Sequence, residues 1–421
     1  MQNYLLMKEA YPNSVEYIPQ YAFNDELLAE FHGVEYSPFK VPCVFGYVFI
    51  SSPNFNRSKI DFVLISRKDC RRPGRRFITR GLDREGNASN FVETENIFIQ
   101  YDSQARMKIA SYVQIRGSIP LIWTMKPNLK WSPPVIINQN FEDSRISAKL
   151  HFKETCEMYG PQYLVNLIDK KGSQGRIGQQ FTKLHSELKD NNLQYVWFDF
   201  HGECKKMKWE NLSKLVDICK DELENYGYFM ANLQTGLNEK ERFYNHKNFT
   251  ILQVQKGAFR TNCMDCLDRT NVVQGVFSRY VAFNQLNKMD LIDIPPGKRS
   301  PFERFPSALE DVFRCGWTNN ADAMSYLYTG TPALKTDFTR TGKRTHQGAI
   351  NDGINSVTRY YINNFTDGYY HDCLDIATLK LVPSSYLKPK GFITPLKISM
   401  FLLFIWVGCC KWVADSLILP V

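Results

Sequence analysis

The feature that most limits the fold is an alternation between residues 149 and 286. Lys149–Tyr159 has helical spacing, YLVNLID at 163–169 is strand-like, and Arg176–Asp190 is helical again. QYVWFDF at 194–200 is apolar enough for a strand covered on both faces. Trp209–Glu224 reads as a helix with an apolar face, Phe249–Val254 as a strand and Val272–Leu286 as a helix. A chain that alternates in this way buries strands between helices, which is an α/β layout. Ahead of it, residues 41–137 read as strands: VPCVFGYVFI, IDFVLISR, RRFITR, NIFIQY and IASYVQIRG. Turn residues such as Pro53-Asn54 and Gly86-Asn87 part them. Beyond residue 300 the pattern is mostly helical, with a basic loop at 335–346.

With 43% hydrophobic and 23% charged residues, the chain can bury a large core and is not of disordered composition. The net charge of +9 favours an anionic partner, whether phosphate, nucleic acid or an acidic membrane face. Eleven cysteines, odd in number and scattered, fit a reducing compartment. Near the C-terminus, ISMFLLFIWVGCC (398–410) is uncharged and apolar. If Lys411 snorkels, the run reaches Ala414, near the ~20 residues of a spanning helix. It predicts a membrane anchor at 398–414 after a linker at 381–397; a buried or interfacial helix is the alternative. Lys388, Lys390 and Lys397 would hold the preceding side in the cytosol.

Residues 260–271 read RTNCMDCLDRTN, between a strand-like and a helix-like stretch. Zinc would need two ligands beyond Cys263 and Cys266, and no second Cys-x-x-Cys or nearby histidine supplies them. A redox pair fits poorly with Asp265 and Asp268 beside it, because anions raise a thiol's pKa. A phosphate cradle accounts for more of the string. Cys263 and Arg269 have the spacing Cys-x5-Arg, and a loop of that length can wrap a phosphoryl group with backbone N–H groups and a helix N-terminus. Arg269 can clamp two oxygens with its planar fork. The same field lowers the pKa of Cys263, so its thiolate can attack phosphorus. Thr270 can hydrogen-bond the sulfur as it leaves. Such chemistry needs neither metal nor cofactor.

The full string is more specific than its spacing. RTNCMDCLDRTN resembles the signature of the Sac-domain phosphoinositide phosphatases. The resemblance extends over GNASNFVETE (86–95), VQIRGSIPLIW (113–123), WFDFHGECKKMKW (197–209) and WTNNADAMSYLYTG (317–330). It continues through ALKTDFTRTGKRT (333–345) and RYYINNFTDGY (359–369), covering roughly residues 22–375. The apolar tail is similar to the membrane end of the family's endoplasmic-reticulum and Golgi members.

The resemblance implies Cys263 as nucleophile and Arg269 as phosphate clamp, with Asn262, Met264, Cys266, Leu267 and Thr270 completing the substrate loop. Departure of an inositol alkoxide needs an acid. Asp265 and Asp268 are the candidates, Asp265 foremost; either can instead brace the loop. Asp199 and His201 end a strand where ligands of α/β sheets sit. Lys335, Arg340, Lys343 and Arg344 read as a basic wall facing inositol phosphates or the anionic leaflet, or as a solvated loop. RKDCRRPGRRFITR (67–80), with seven Lys or Arg against one Asp, reads as a membrane-facing surface or as wet strand ends. Arg116 can bind anions or brace the interior.

The expected fold class is therefore α/β, α+β overall. A β-rich portion at 41–137 packs on an α/β catalytic part at 138–380, followed by the transmembrane anchor. Residues 1–40 are expected to be the remnant of a larger β-rich N-terminal domain. The resemblance implies an enzyme that hydrolyses phosphatidylinositol monophosphates, chiefly the 4-phosphate, facing the cytosol on endoplasmic reticulum and Golgi membranes. Its partners are phosphoinositide lipids and the membrane, not nucleic acid. The rival readings are a protein or soluble inositol-phosphate phosphatase and a catalytically impaired membrane tether.

Overall fold

The computed structural model describes residues 17–29, 40–55, 58–101, 106–205, 208–234, 249–292, 304–341 and 345–378. The linker, the expected anchor at 398–414, Lys343 and Arg344 lie outside them. Among the described residues no helix is long and apolar enough to cross a membrane.

The first strands are β1 (Gly46–Ser51), β2 (Asn54–Phe55), β3 (Ser58–Lys68), β4 (Val92–Tyr101) and β5 (Arg106–Arg116). They form an antiparallel meander, with β1 on β3, β3 on β4 and β4 on β5. A small ribbon of β6 (Trp123–Thr124) and β7 (Ile136–Ile137) leads to α1 (Phe141–Tyr159), capped by the Asn140 side chain accepting from the Glu142 N–H. The expected alternation follows: β8 (Gln162–Asn166), α2 (Gly172–Leu188), β9 (Leu193–Trp197), a single turn α3 (Phe200–Glu203) and α4 (Leu212–Tyr226). Next come β10 (Phe229–Gln234), β11 (Phe249–Gln253), β12 (Ala258–Asn262) and α5 (Asp268–Lys288). The remainder is helical: α6 (Ser307–Thr329), α7 (Thr336–Thr341), α8 (His346–Tyr361), one π turn at Ile362–Thr366, and α9 (Asp367–Ala377).

The β-rich and α/β portions do not pack as separate layers. They share one sheet, ordered β1-β3-β4-β5-β12-β8-β9, with β10 and β11 branching from β5. Strand β5 makes the join. Its first half pairs antiparallel with β10, and Ile115 and Arg116 at its end pair parallel with Arg260 and Thr261 of β12. An eleven-residue strand in a twisted sheet can serve two neighbours in this way, which strand-by-strand reading does not reveal. The parallel strands β12, β8 and β9 end in one row at Asn262, Asn166 and Trp197.

Three further expectations change. RRFITR forms a turn, not a strand, because four of its six residues are drawn into polar contacts of the interior. Part of the basic loop at 335–346 is helix α7. Strand β9, expected to be covered on both faces, is an edge strand with Leu193 buried and Gln194 exposed, whereas β8 is buried at every position. So is β12, although its sequence AFRTN is largely polar.

Candidate active site

The loop Cys263–Leu267 leaves the carboxyl end of β12 and runs into α5. Cys266 adopts a left-handed conformation (φ 53°), and its N–H donates to Sγ of Cys263 at 3.0 Å. The Cys266 thiol lies 2.9 Å from the Gly117 carbonyl at the end of β5. Leu267, at the cap of α5, makes no side-chain cap hydrogen bond, so the first-turn amides and the helix dipole remain for an anion. Burial alone would push the Cys263 thiol up. The Cys266 side chain, the Arg269 guanidinium and the Thr270 hydroxyl outweigh that and draw it well down, against an opposing push from Asp265. Cys266 moves the other way, raised by burial and by its neighbour. One thiol of the pair is thus set up as a thiolate while the other stays protonated.

Arg269 is anchored by one nitrogen. Its Nη1 donates to the Leu167 carbonyl at 3.1 Å, and to Asp169 Oδ1 and Gln174 Oε1 at 3.2 Å each. Nε and Nη2 make no hydrogen bond to protein among the described residues. That edge is the one that can fork onto two phosphoryl oxygens. Nδ1 of His201 also lies 2.8 Å from Asp169 Oδ1. Asp169 and Gln174 follow β8, and sequence reading singled out neither. A carboxylate just past a parallel strand was the available signal.

Asp265 and Asp268 are placed differently. Asp265 pairs with Arg80 at 2.6 Å and Arg76 at 3.2 Å, and Arg80 also donates to the Met264 carbonyl. Burial would raise its carboxyl; the two guanidiniums win and hold it well below the usual carboxylate range. Asp268 accepts the Leu334 N–H at 3.1 Å. Burial pushes it up to about 6, with Arg359 and that N–H pulling against it. The basic run at 67–80 is thus neither a membrane face nor wet strand ends. Arg67 pairs with Glu93 and Glu95, Arg71 with Asp69, Arg75 with Asp367, and Arg76 and Arg80 with Asp265.

Beneath the loop lie Arg116 and Arg260, each fully buried and, among the described residues, without a carboxylate partner. Arg260 donates to the Ser118 carbonyl at 3.1 Å and Arg116 to Asn271 at 3.4 Å, while other nitrogens of both stay unpaired. Burial lowers each to about 10, so both remain charged at neutral pH, and the thiols of Cys266 and, for Arg116, Cys263 favour that charge. The cradle therefore has a cationic floor.

The other expected residues divide. Asn262 ties the loop to β5 by donating to the Gly117 carbonyl at 2.7 Å, Leu267 is buried against Val92, Met324 and Tyr328, and Thr270 is buried in α5. Asp199 does not end a strand. It caps α3, accepting from the Gly202 N–H at 2.9 Å and the Lys170 N–H at 3.2 Å. The Lys335 N–H binds Asp352, next to Leu334 whose N–H Asp268 accepts, and Arg340 reaches Asn319. No group of three His, Cys, Asp or Glu able to hold a metal ion occurs among the described residues.

Fold and site define a mixed α/β protein with a cysteine-centred anion cradle at the carboxyl edge of its parallel strands. The SacI homology domain model matches residues 2–205. The chain is 39% identical to zebrafish phosphatidylinositol-3-phosphatase SAC1-A over 358 residues, 85% of this chain and 57% of that one. It is 39% identical to phosphatidylinositol-3-phosphatase SAC1 of Saccharomyces cerevisiae, covering 80% and 51%, and 36% identical to phosphoinositide phosphatase SAC6 of Arabidopsis thaliana, covering 85% and 56%. The chain belongs to the SacI homology (Sac-domain) family, and it spans a little over half the length of these relatives.

Proposed function

We propose that the chain is a phosphoinositide phosphatase that removes the phosphate of phosphatidylinositol monophosphates, chiefly the 4-phosphate, on cytosol-facing endoplasmic reticulum or Golgi membrane. The observation that carries this is Cys263 drawn toward its thiolate within reach of a loop N–H, beside an arginine whose fork edge is free. Sγ of Cys263 attacks phosphorus; the S–P bond forms as the P–O bond to the inositol ring breaks. Arg269 and the loop amides hold the developing charge. Asp268 gives its proton to the leaving oxygen, since Asp265 is committed to Arg76 and Arg80. Water then attacks phosphorus, the S–P bond breaks, Asp268 takes the water's proton, and phosphate leaves.

The test is phosphate release from vesicles carrying either the 4-phosphate or the 3-phosphate lipid, since two of the relatives are named 3-phosphatases. Wild type is expected to release phosphate and Cys263→Ser to release none. Equal release by both would refute the cysteine mechanism. No release by a folded wild type would favour a tether, and activity indifferent to a lipid surface would favour a soluble-substrate phosphatase.

A further inference from the structure

Helix α8 is turned inside out for a surface helix. Its one buried residue is a cation: Arg359 donates to Thr331 Oγ1 at 2.9 Å, the Pro332 carbonyl at 2.9 Å and Ser325 at 3.2 Å. Asp352, also on the inward side, accepts the Lys335 N–H. Ile350, Ile354 and Val357, spaced four and three apart, form a stripe about half a turn from Arg359. All three are exposed, at 44 to 57%. A surface helix ordinarily buries such a stripe.

The loop before β7 extends this surface. Trp131 stacks on Tyr360 of α8 with ring centroids 5.3 Å apart, and the Tyr360 hydroxyl donates to the Leu129 carbonyl. Leu129 and Trp131 are each more than 60% exposed, and the exposed Lys126 and Lys130 flank them. The stripe side of α8 carries no acid.

We propose that the α8 stripe and the Leu129–Trp131 tip dock the protein on an anionic lipid surface, with Lys126 and Lys130 at headgroup level. Exposed apolar side chains with an adjoining basic rim match the two layers of such a surface, a Trp and a Leu entering it while lysines stay at the phosphates. The patch lies across α8 from the elements that brace the candidate site. The same helix that bears the stripe sends Arg359 inward toward Asp268 and Asp265, and α9 behind it holds Arg75 through Asp367 and Tyr370. Docking there brings a bilayer to about one helix diameter from the elements that brace the loop. The inference rests on the lipid reading above for its choice of surface.

The experiment uses the full chain and phosphatidylcholine vesicles with and without phosphatidylserine. Brominated lipid is expected to quench a part of the fluorescence that Trp131→Phe removes. Ile354→Asp combined with Val357→Asp is expected to abolish that quenching and weaken anionic-vesicle binding about tenfold or more, with the melting temperature and turnover of para-nitrophenyl phosphate unchanged. Trp131→Ala, on an exposed tip, repeats the binding test without placing a charge in the helix. Unchanged quenching and binding in these folded variants overturn the proposal. So does a change of oligomeric mass with vesicle binding intact, which makes the occupant a second copy. Docking through α8 without turnover of any phosphoinositide leaves this inference standing and removes the proposed activity instead.

Discussion

The backbone N–H of Cys266 points at Sγ of Cys263 from 3.0 Å, from a residue held in the left-handed region at φ 53°. A non-glycine residue there costs on the order of 1 kcal/mol, so the surrounding structure holds it in place. The Cys266 side chain contributes as well, lowering the Cys263 pKa. Cys266→Ala is therefore expected to raise that pKa. The pH midpoint for alkylation of Cys263 by iodoacetamide, followed by peptide mass spectrometry, should move upward; an unmoved midpoint would assign the shift to Arg269 and Thr270 alone.

Asp268 predicts the alkaline limb of the activity profile. Its carboxyl is raised to about 6, and as general acid it must be protonated, so kcat/KM should fall as pH rises through that value. Asp268→Asn should lower turnover about a hundredfold or more and flatten that limb. Steady-state rates across pH on both proteins decide it. An Asp268→Asn enzyme with an unchanged profile would return the acid's role to Asp265.

Asp265 predicts stability. Its carboxyl is depressed in the folded chain, so its contribution is present above the ordinary value of about 4 and fades as pH falls below it. Asp265→Asn leaves the buried Arg80 without its counter-charge, at a cost of about 2 kcal/mol near neutral pH. The gap between wild type and variant should narrow in acid. Urea melts at neutral and acidic pH measure it.

Arg269 and Asp169 predict a graded loss. Arg269→Lys keeps the charge and loses the fork, and turnover should drop about a hundredfold or more. Asp169→Asn removes the charge at the Nη1 anchor while leaving Leu167 and Gln174, and should cost about tenfold, mostly in kcat. Kinetics that show a larger loss for Asp169→Asn than for Arg269→Lys would contradict the anchoring role.

The sequence by itself determined the local pieces. Apolar periodicity located α2, β8, β9, α4 and α5 to within a few residues, because burial on one face or two leaves a linear record. The string RTNCMDCLDRTN placed Cys263 and Arg269 together, because five residues between a strand and a helix can close only a tight loop. The tertiary structure decided what surrounds them. Residue spacing cannot say that Arg76 and Arg80, nearly two hundred positions upstream, would claim Asp265 and leave Asp268 the protonatable carboxyl. Nor can it say that Asp169 would hold Arg269, that β5 would join two kinds of sheet, or that α8 would face its apolar stripe outward. Charge pairing, burial and register across the sheet are long-range relations. They arise only when segments distant in sequence are packed side by side, and the pKa of each group follows from that packing.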